Sequence, residues 1–182
     1  VLETLFIEAI KGYKKEGTSV HVYQEILNKK PGYFIRIGEK SYYVEPQVTL
    51  DSTHGVSIPS KADFVLWPAR SHSEIKPIVV FTDGFKYHKD RVGLDTAQRM
   101  AIVQSGRFYV WSITWKDVDV EIRVKDKNYF ENILDCGISH NQNNYNLYLK
   151  SFNAEELKGI SKETNLDLLV SFLSNPDESL WM

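Results

Sequence analysis

Two acids mark neighbouring apolar segments of the chain, at positions where a β-sheet could bring them together. Asp63 opens the segment ADFVLWP, and Asp83 closes the segment PIVVFTDG twenty residues later. If these segments are adjacent antiparallel strands, the start of one meets the end of the other, and both carboxylates lie at one edge of the sheet. Two close carboxylates repel each other unless a cation or a proton lies between them. Such a pocket suits Mg²⁺, which takes one or two carboxylates together with phosphate oxygens and water.

Basic side chains follow Asp83 closely enough to take part in the same chemistry. His88 lies five residues beyond Asp83 and could act as a general acid or base, or hold a water molecule. Lys86 and Lys89 would add the positive charge that a phosphate-bearing substrate requires. Each of these features also has a simpler explanation, because Asp-Gly is a common turn dipeptide and a single His is often a surface or packed residue.

The composition indicates an ordinary globular protein and excludes several classes. The chain has 182 residues and a net charge of −2, so one domain is expected and nothing global points to nucleic acid. The single cysteine, Cys136, rules out an internal disulfide and predicts a reducing, cytoplasmic environment. No apolar run approaches the ~20 residues of a membrane span, so no membrane partner is expected. Because Val1 already lies in a helical pattern, we expect a fragment of a longer protein.

The pattern of apolar residues predicts the elements that must position the acids. A helix is expected up to Gly17, a hairpin around the Gly38-Glu39-Lys40 turn, and a helix between the strands PIVVFTDG and RFYVWSITW. A strand–helix–strand crossover implies a parallel pair, so the predicted class is α/β or α+β with a mixed sheet. The segment VHVYQEIL fits a short helix or a strand. We expect residues 1–135 to form the main domain and residues 136–182 to form a helical extension packed on it, with helices from about 154 and from about 165.

These segments together resemble a known family. The run IPSKADFVL…KPIVVFTDGFKYHKDR…DTAQRMAIVQSGRFYVWSITWKDV is similar to the very-short-patch repair endonucleases, a branch of the PD-(D/E)XK, restriction-endonuclease-like superfamily. The resemblance extends from about Glu3 to Val118 and is strongest over 59–118. The matching positions are Asp63-Phe64, Phe81-Thr82-Asp83-Gly84, Tyr87-His88, Asp95 with Arg99, and Gly106 through Trp111. Similar domains occur at the ends of DEAD/DEAH-type helicases, often in DNA repair or phage defence, and DGFKYH and WSITWKDV match those as well.

The resemblance implies a restriction-endonuclease-like core and a role for each matching residue. Asp63 would bind the metal, the backbone carbonyl of Thr82 would be a second ligand, and His88 would act in proton transfer. Glu3 falls where related nucleases often place a supporting Glu, with Glu8 as a weaker candidate.

Two positions depart from the superfamily pattern. Phe81 replaces an acid, and Asp83 replaces the superfamily lysine. Either Asp83 restores a second carboxylate ligand and joins the catalytic and metal-binding set, or the site is partly degenerate.

The leading hypothesis is a DNA endonuclease domain that depends on Mg²⁺ or Mn²⁺ and belongs to a helicase-linked repair or phage-defence protein. The expected partners are DNA, and a helicase domain in cis or a defence or repair protein. Two alternatives remain open: a catalytically degenerate DNA-binding module, and a protein-interaction domain that docks a partner through its C-terminal helices. The candidate DNA contacts are Lys61, Lys86, Lys89, Gln98 and Arg99. A scatter of basic residues near the hairpin fits either DNA contact or a solvated surface: Lys14, Lys15, Lys29, Lys30, Arg36 and Lys40.

Overall fold

The computed structural model describes residues 2–69, 74–83, 92–118, 150–151 and 164–177. The strands are β1 (Val20–Leu27), β2 (Lys30–Ile37), β3 (Lys40–Leu50), β4 (Ser60–Pro68), β5 (Ile78–Asp83) and β6 (Tyr109–Thr114). The helices are α1 (Leu2–Lys11), α2 (Val92–Gln104), α3 (Trp115–Val118) and α4 (Asn165–Ser174), with a 3₁₀ turn at Ser52–His54. The expected helix from about 154, and the boundary between 135 and 136, lie outside the described residues.

The six strands form one sheet in the order of the sequence. Strands β1 to β5 run antiparallel to their neighbours, whereas β5 and β6 are parallel and are joined through α2. The segment VHVYQEIL, which fitted either element, is strand β1. The expected α+β class with a mixed sheet is therefore confirmed. In the described part of the chain, every helix is too short or too polar to cross a bilayer.

The larger hydrophobic core lies between one face of the sheet and the helices α1 and α4. Phe6 and Ile10 project from α1 at helical spacing and are fully buried against Phe64, whose ring centroid lies 5.2 Å from that of Phe6. A smaller core lies on the other face, where Ala101 and Ile102 of α2 pack on the sheet. The helices thus cover both faces, and the sheet positions β4 and β5 between them.

Helix α4 is anchored at both of its ends. Thr164 and Asp167 form a reciprocal capping box at its start, which satisfies backbone N–H groups that the first turn leaves without partners. At its end, the hydroxyl of the fully buried Tyr42 donates to the Leu173 carbonyl at 2.8 Å. Burial, with a smaller contribution from the charge of Glu74, raises the pKa of Tyr42. The capping box and the Tyr42 hydrogen bond thus hold the apolar side of α4 against the sheet.

The β1–β2 turn offers a simple test of backbone strain. Asn28 and Lys29 both have positive φ, 51° and 66°, as a two-residue type I′ hairpin requires. Asn tolerates this region, but Lys pays a cost that Gly does not. We expect Lys29→Gly to raise the free energy of unfolding by about 0.5–1 kcal/mol, measured by urea denaturation. The exposed Lys30→Gly, at the first residue of β2 where φ is not positive, is the matched control and should destabilise the chain.

Candidate active site

Asp63 lies where the β4–β5 ladder ends. The last ladder pair is Phe64 with Val80. Beyond this pair, the Asp63 carboxylate accepts hydrogen bonds from β5. Its Oδ2 accepts from the Thr82 backbone N–H at 2.7 Å and from the Thr82 hydroxyl at 2.9 Å. Because the N–H and C=O of one strand residue point to the same side, the Thr82 carbonyl also lies on the β4 side of β5. The structure thus places Asp63 and Thr82 together, as expected.

Gln47 interrupts β3 opposite Asp63. It has a φ of 56° in the middle of a strand, a conformation that costs a non-glycine residue about 1–2 kcal/mol. The ladder pairs on either side are Pro46–Phe64 and Val48–Ala62. Strained backbone of this kind is concentrated at functional sites, where it re-aims a side chain.

Both strands change the face that they present at this point. On β3, Val44 packs in the larger core and Leu50 packs in the smaller one, although strand alternation alone would put them on one face. On β4, Phe64 and Ala62 make the same change. The twist carries the Gln47 side chain to the α1 side of the sheet.

The Gln47 amide bridges two carboxylates. Its Nε2 donates to Glu3 Oε1 at 2.7 Å and lies 3.5 Å from Asp63 Oδ1, the second contact being long. Only the nitrogen end of the amide suits this position, because the oxygen end would face two anions. Glu3, expected as a supporting acid, is thus brought to Asp63. Glu8 is exposed and lies 3.9 Å from Lys11, away from this cluster.

Asp83 lies on the opposite face of the sheet from Asp63. Consecutive strand residues point to opposite faces, and Thr82 already points towards Asp63. Asp83 instead forms an ion pair with Arg99 of α2. The expected sharing of one ion by Asp63 and Asp83 is therefore corrected: the two acids lie near the same end of the β4–β5 pair but face different helices.

Arg99 is held flat against the α2 face of the sheet. Its Nη1 donates to Ser112 Oγ at 2.9 Å, and its guanidinium carbon lies 4.8 Å above the Phe81 ring. Its Nε is buried and has no hydrogen-bond partner among the described residues. Arg99 was expected as a DNA contact; this geometry instead places its guanidinium on Asp83. Phe81 thus packs against the Arg99 guanidinium.

The other expected DNA contacts are distributed differently. Gln98 Nε2 donates to the Pro59 carbonyl at 2.9 Å, so this side chain holds the loop before β4. Lys61 is exposed on β4, where it pairs with Thr49. Lys86, His88 and Lys89 lie outside the described residues.

The Arg99–Asp83 pair should contribute measurably to stability. Because both side chains are largely removed from solvent, we expect Arg99→Met and Asp83→Asn each to lower the free energy of unfolding by about 1–2 kcal/mol. Their coupling in a double-mutant cycle should be about 1 kcal/mol, measured by urea denaturation. Exposed Gln104→Met on the same helix is the control. Additive effects of the two variants would show that the pair is not energetically linked.

Comparisons with known proteins identify no relative of this chain. A scan against protein-family models finds no match, and searches of curated proteins and of solved structures find none. Within the described ranges, no group of three or more His, Cys, Asp or Glu side chains could hold a metal ion. The candidate cluster therefore consists of two carboxylates, one bridging amide and the oxygens of Thr82.

Sequence reasoning missed Gln47. The available signal was Pro46, which stands beside it in the otherwise β-rich run SYYVEPQVTL. Proline inside a strand marks an edge or an irregularity, because it cannot donate to the ladder. That signal locates an interruption, but it does not indicate which side chain the interruption would redirect.

Proposed function

We propose that this chain is a magnesium-dependent DNA endonuclease domain with a restriction-endonuclease-like core. The observation that carries the proposal is the bridge from Glu3 through the Gln47 amide to Asp63, beside the Thr82 backbone. A hydrogen-bond donor lies where two carboxylates approach each other, which is where a cation would be favoured. The order of elements, with a helix before an antiparallel meander and a β–α–β crossover after it, agrees with the resemblance.

The donor set fits the proposed ion. Mg²⁺ prefers oxygen ligands and is commonly held by one or two carboxylates plus substrate phosphate, not by an all-protein cage. Asp63 Oδ1, Glu3 and the Thr82 carbonyl supply oxygen only. When bound, Mg²⁺ would supply Lewis-acid polarisation of a scissile phosphate and a more acidic water. Mn²⁺ accepts the same ligands and is the second ion to test.

Each residue of the candidate site has a role in this proposal. Glu3 and Asp63 would hold the cation, and Thr82 fixes the Asp63 carboxylate with two hydrogen bonds. Gln47 positions Glu3 and Asp63 relative to each other. Asp83 and Arg99 are positioning residues on the other face, where their pair supports the end of β5 that carries Thr82. His88 retains its expected role in proton transfer.

A second candidate function is a DNA-binding module whose site has decayed. It is favoured by the Asp83–Arg99 pair, since the superfamily position for a cation carries an acid that is neutralised on the opposite face. Such a module would bind DNA equally well with or without a divalent ion and would cleave none.

Incubation with supercoiled plasmid separates these two functions. With Mg²⁺ or Mn²⁺ we expect nicked and linear products, and none in EDTA. Binding measured by electrophoretic mobility in the same buffers reports on the second candidate. Retained binding with no products in either metal would reject the endonuclease and support the decayed module.

A further inference from the structure

A ladder of aromatic side chains crosses the sheet from a buried end to an exposed one. In the strand register Tyr23 pairs with Phe34, Phe34 with Tyr43, and Tyr43 with Trp67. The ring centroids of Tyr23 and Phe34 are 6.5 Å apart, and those of Phe34 and Tyr43 are 5.2 Å apart. Trp67 packs on Phe108 in the smaller core. Tyr23 and Tyr43, in contrast, are 55% and 38% exposed.

The larger core does not explain this ladder. Alternation along β2 and β3 puts Ile35 and Tyr42 on the face that α1 and α4 cover, so Phe34 and Tyr43 lie on the other face. Cross-strand aromatic pairs add about 0.2–1 kcal/mol each, which accounts for their pairing. It does not account for two tyrosine rings that keep so much of their surface in water, because any β-branched residue would pair there as well.

A row of hydrogen-bond donors lies along one side of the ladder. Two residues away along the strands, about 7 Å at ~3.4 Å per residue, the register aligns His21, Arg36 and Ser41. All three side chains can donate, and Arg36 is exposed and always charged. Such a row suits phosphate oxygens, which are bound mainly by Arg, Lys and hydroxyl groups.

The row on the other side of the ladder is different. Glu25 lies opposite Gly32 there, and Glu45 stands two residues beyond Tyr43 on β3. Glu45 accepts from Asn28 Nδ2 and from Trp67 Nε1, both at 3.1 Å, so its carboxylate is already an acceptor on this surface. Carboxylates repel phosphate but accept hydrogen bonds from the amino groups of bases. The charges therefore allow a phosphate chain on one side of the ladder only, with base edges on the other.

A groove of about 660 Å³ borders the ladder on the side of Glu45. Tyr43 and Trp67 line it, and it continues to Gln47, Thr49 and His54. Gln47 is the residue that bridges Glu3 and Asp63. A strand bound across the ladder would thus have room to continue along β3 as far as Gln47.

We propose that this aromatic ladder is a stacking platform for single-stranded DNA, with phosphates along the His21–Arg36 row. The choice of DNA rests on the proposed function. Bases of a single strand can stack on tyrosine and phenylalanine rings, whereas bases of a duplex are already stacked on each other. The platform therefore selects unpaired DNA over duplex.

Fluorescence anisotropy with a labelled oligothymidine of about twenty nucleotides tests the platform. Binding is measured in EDTA with the full chain, so that no cleavage intervenes. Because each stacked base contributes measurably, we expect Tyr43→Ser and Tyr23→Ser each to weaken binding at least about tenfold. Tyr43→Phe keeps the ring and should bind as the wild type does. Met100→Ser, which removes an exposed apolar side chain from α2, should have no effect.

The donor row is tested by the salt dependence of the same binding. Arg36→Gln should reduce the slope of log K against log salt by about 0.7, the value for one phosphate contact of a single strand. An unchanged slope would remove Arg36 from the interface and overturn the assigned orientation. A duplex of the same length should bind more weakly than the single strand.

Several outcomes would overturn the platform. They are wild-type affinity in Tyr43→Ser, equal binding of duplex, tighter binding of oligouridine, or self-association of the chain that Tyr43→Ser abolishes. These measurements also distinguish failure of the stacking platform from failure of the endonuclease proposal. Plasmid cleavage without ladder-dependent binding rejects the platform alone, and ladder-dependent binding without cleavage rejects the endonuclease alone.

Discussion

Asp63→Asn is expected to reduce metal-dependent plasmid cleavage by at least about 100-fold, with little effect on the fold. The asparagine keeps an oxygen that can accept from the Thr82 N–H and hydroxyl, so the end of the β4–β5 ladder is retained. It removes the negative charge that would hold the ion, and an ion's catalytic contribution of several kcal/mol corresponds to two or more factors of ten. The measurement is the initial rate of nicking in Mg²⁺ and in Mn²⁺.

Two controls make this result specific. Exposed Glu39→Gln removes one carboxylate from the β2–β3 turn and should leave the rate unchanged. Thermal unfolding of Asp63→Asn should stay within a few degrees of the wild type, which excludes loss of rate through loss of structure. Cleavage at the wild-type rate in Asp63→Asn would reject the assigned metal site and, with it, the proposed function.

Phe172→Ala should lower the free energy of unfolding by about 3–5 kcal/mol, a large share of a typical domain's total. Phe172 is almost fully buried, and its ring meets those of Tyr109 and Trp111, with centroids 5.1 Å and 5.9 Å away. Truncation removes these ring contacts and leaves a cavity between α4 and β6. Urea denaturation followed by far-UV circular dichroism measures the change without relying on the nearby tryptophan.

Two further variants show what the Phe172 result means. Leu94→Ala, in which the side chain is mostly exposed on α2, should change stability by no more than about 0.5 kcal/mol. Phe172→Leu should fall between the two, because it restores part of the lost volume. A cost below about 1 kcal/mol for Phe172→Ala would mean that α4 contributes little to this core and is available for a partner.

Local patterns in the sequence predicted most of the elements. The apolar spacing of α1, the turn at Gly38 and the apolar runs of β4 to β6 each report on their own segment, and each element is present, although α1 ends at Lys11 and not at Gly17. The segment VHVYQEIL was ambiguous, because eight residues with mixed apolar and polar positions satisfy neither the helical nor the strand period well. Tertiary contacts decided it, since pairing with β2 satisfies its backbone.

The same reasoning singled out Asp63, Thr82 and Glu3, which the structure brings together, but it grouped Asp63 with Asp83, which pairs with Arg99. Strand positions predict which residues share an edge of the sheet, and Asp63 and Asp83 do lie near one end of the β4–β5 pair. Which face each side chain takes depends on the parity of the register. A shift of the register by one residue moves each side chain to the opposite face, and no local pattern in these strands specifies the register.

What the sequence by itself determined is therefore most of the elements and the α+β class, and it supplied Asp63, Asp83 and Glu3 as candidate acids. The tertiary structure alone decided that Gln47, through a left-handed backbone inside β3, joins Glu3 to Asp63 while Asp83 pairs with Arg99 across the sheet. The reason is physical: periodicity and turn chemistry act within a few residues, whereas faces and bridges arise from pairing between distant segments.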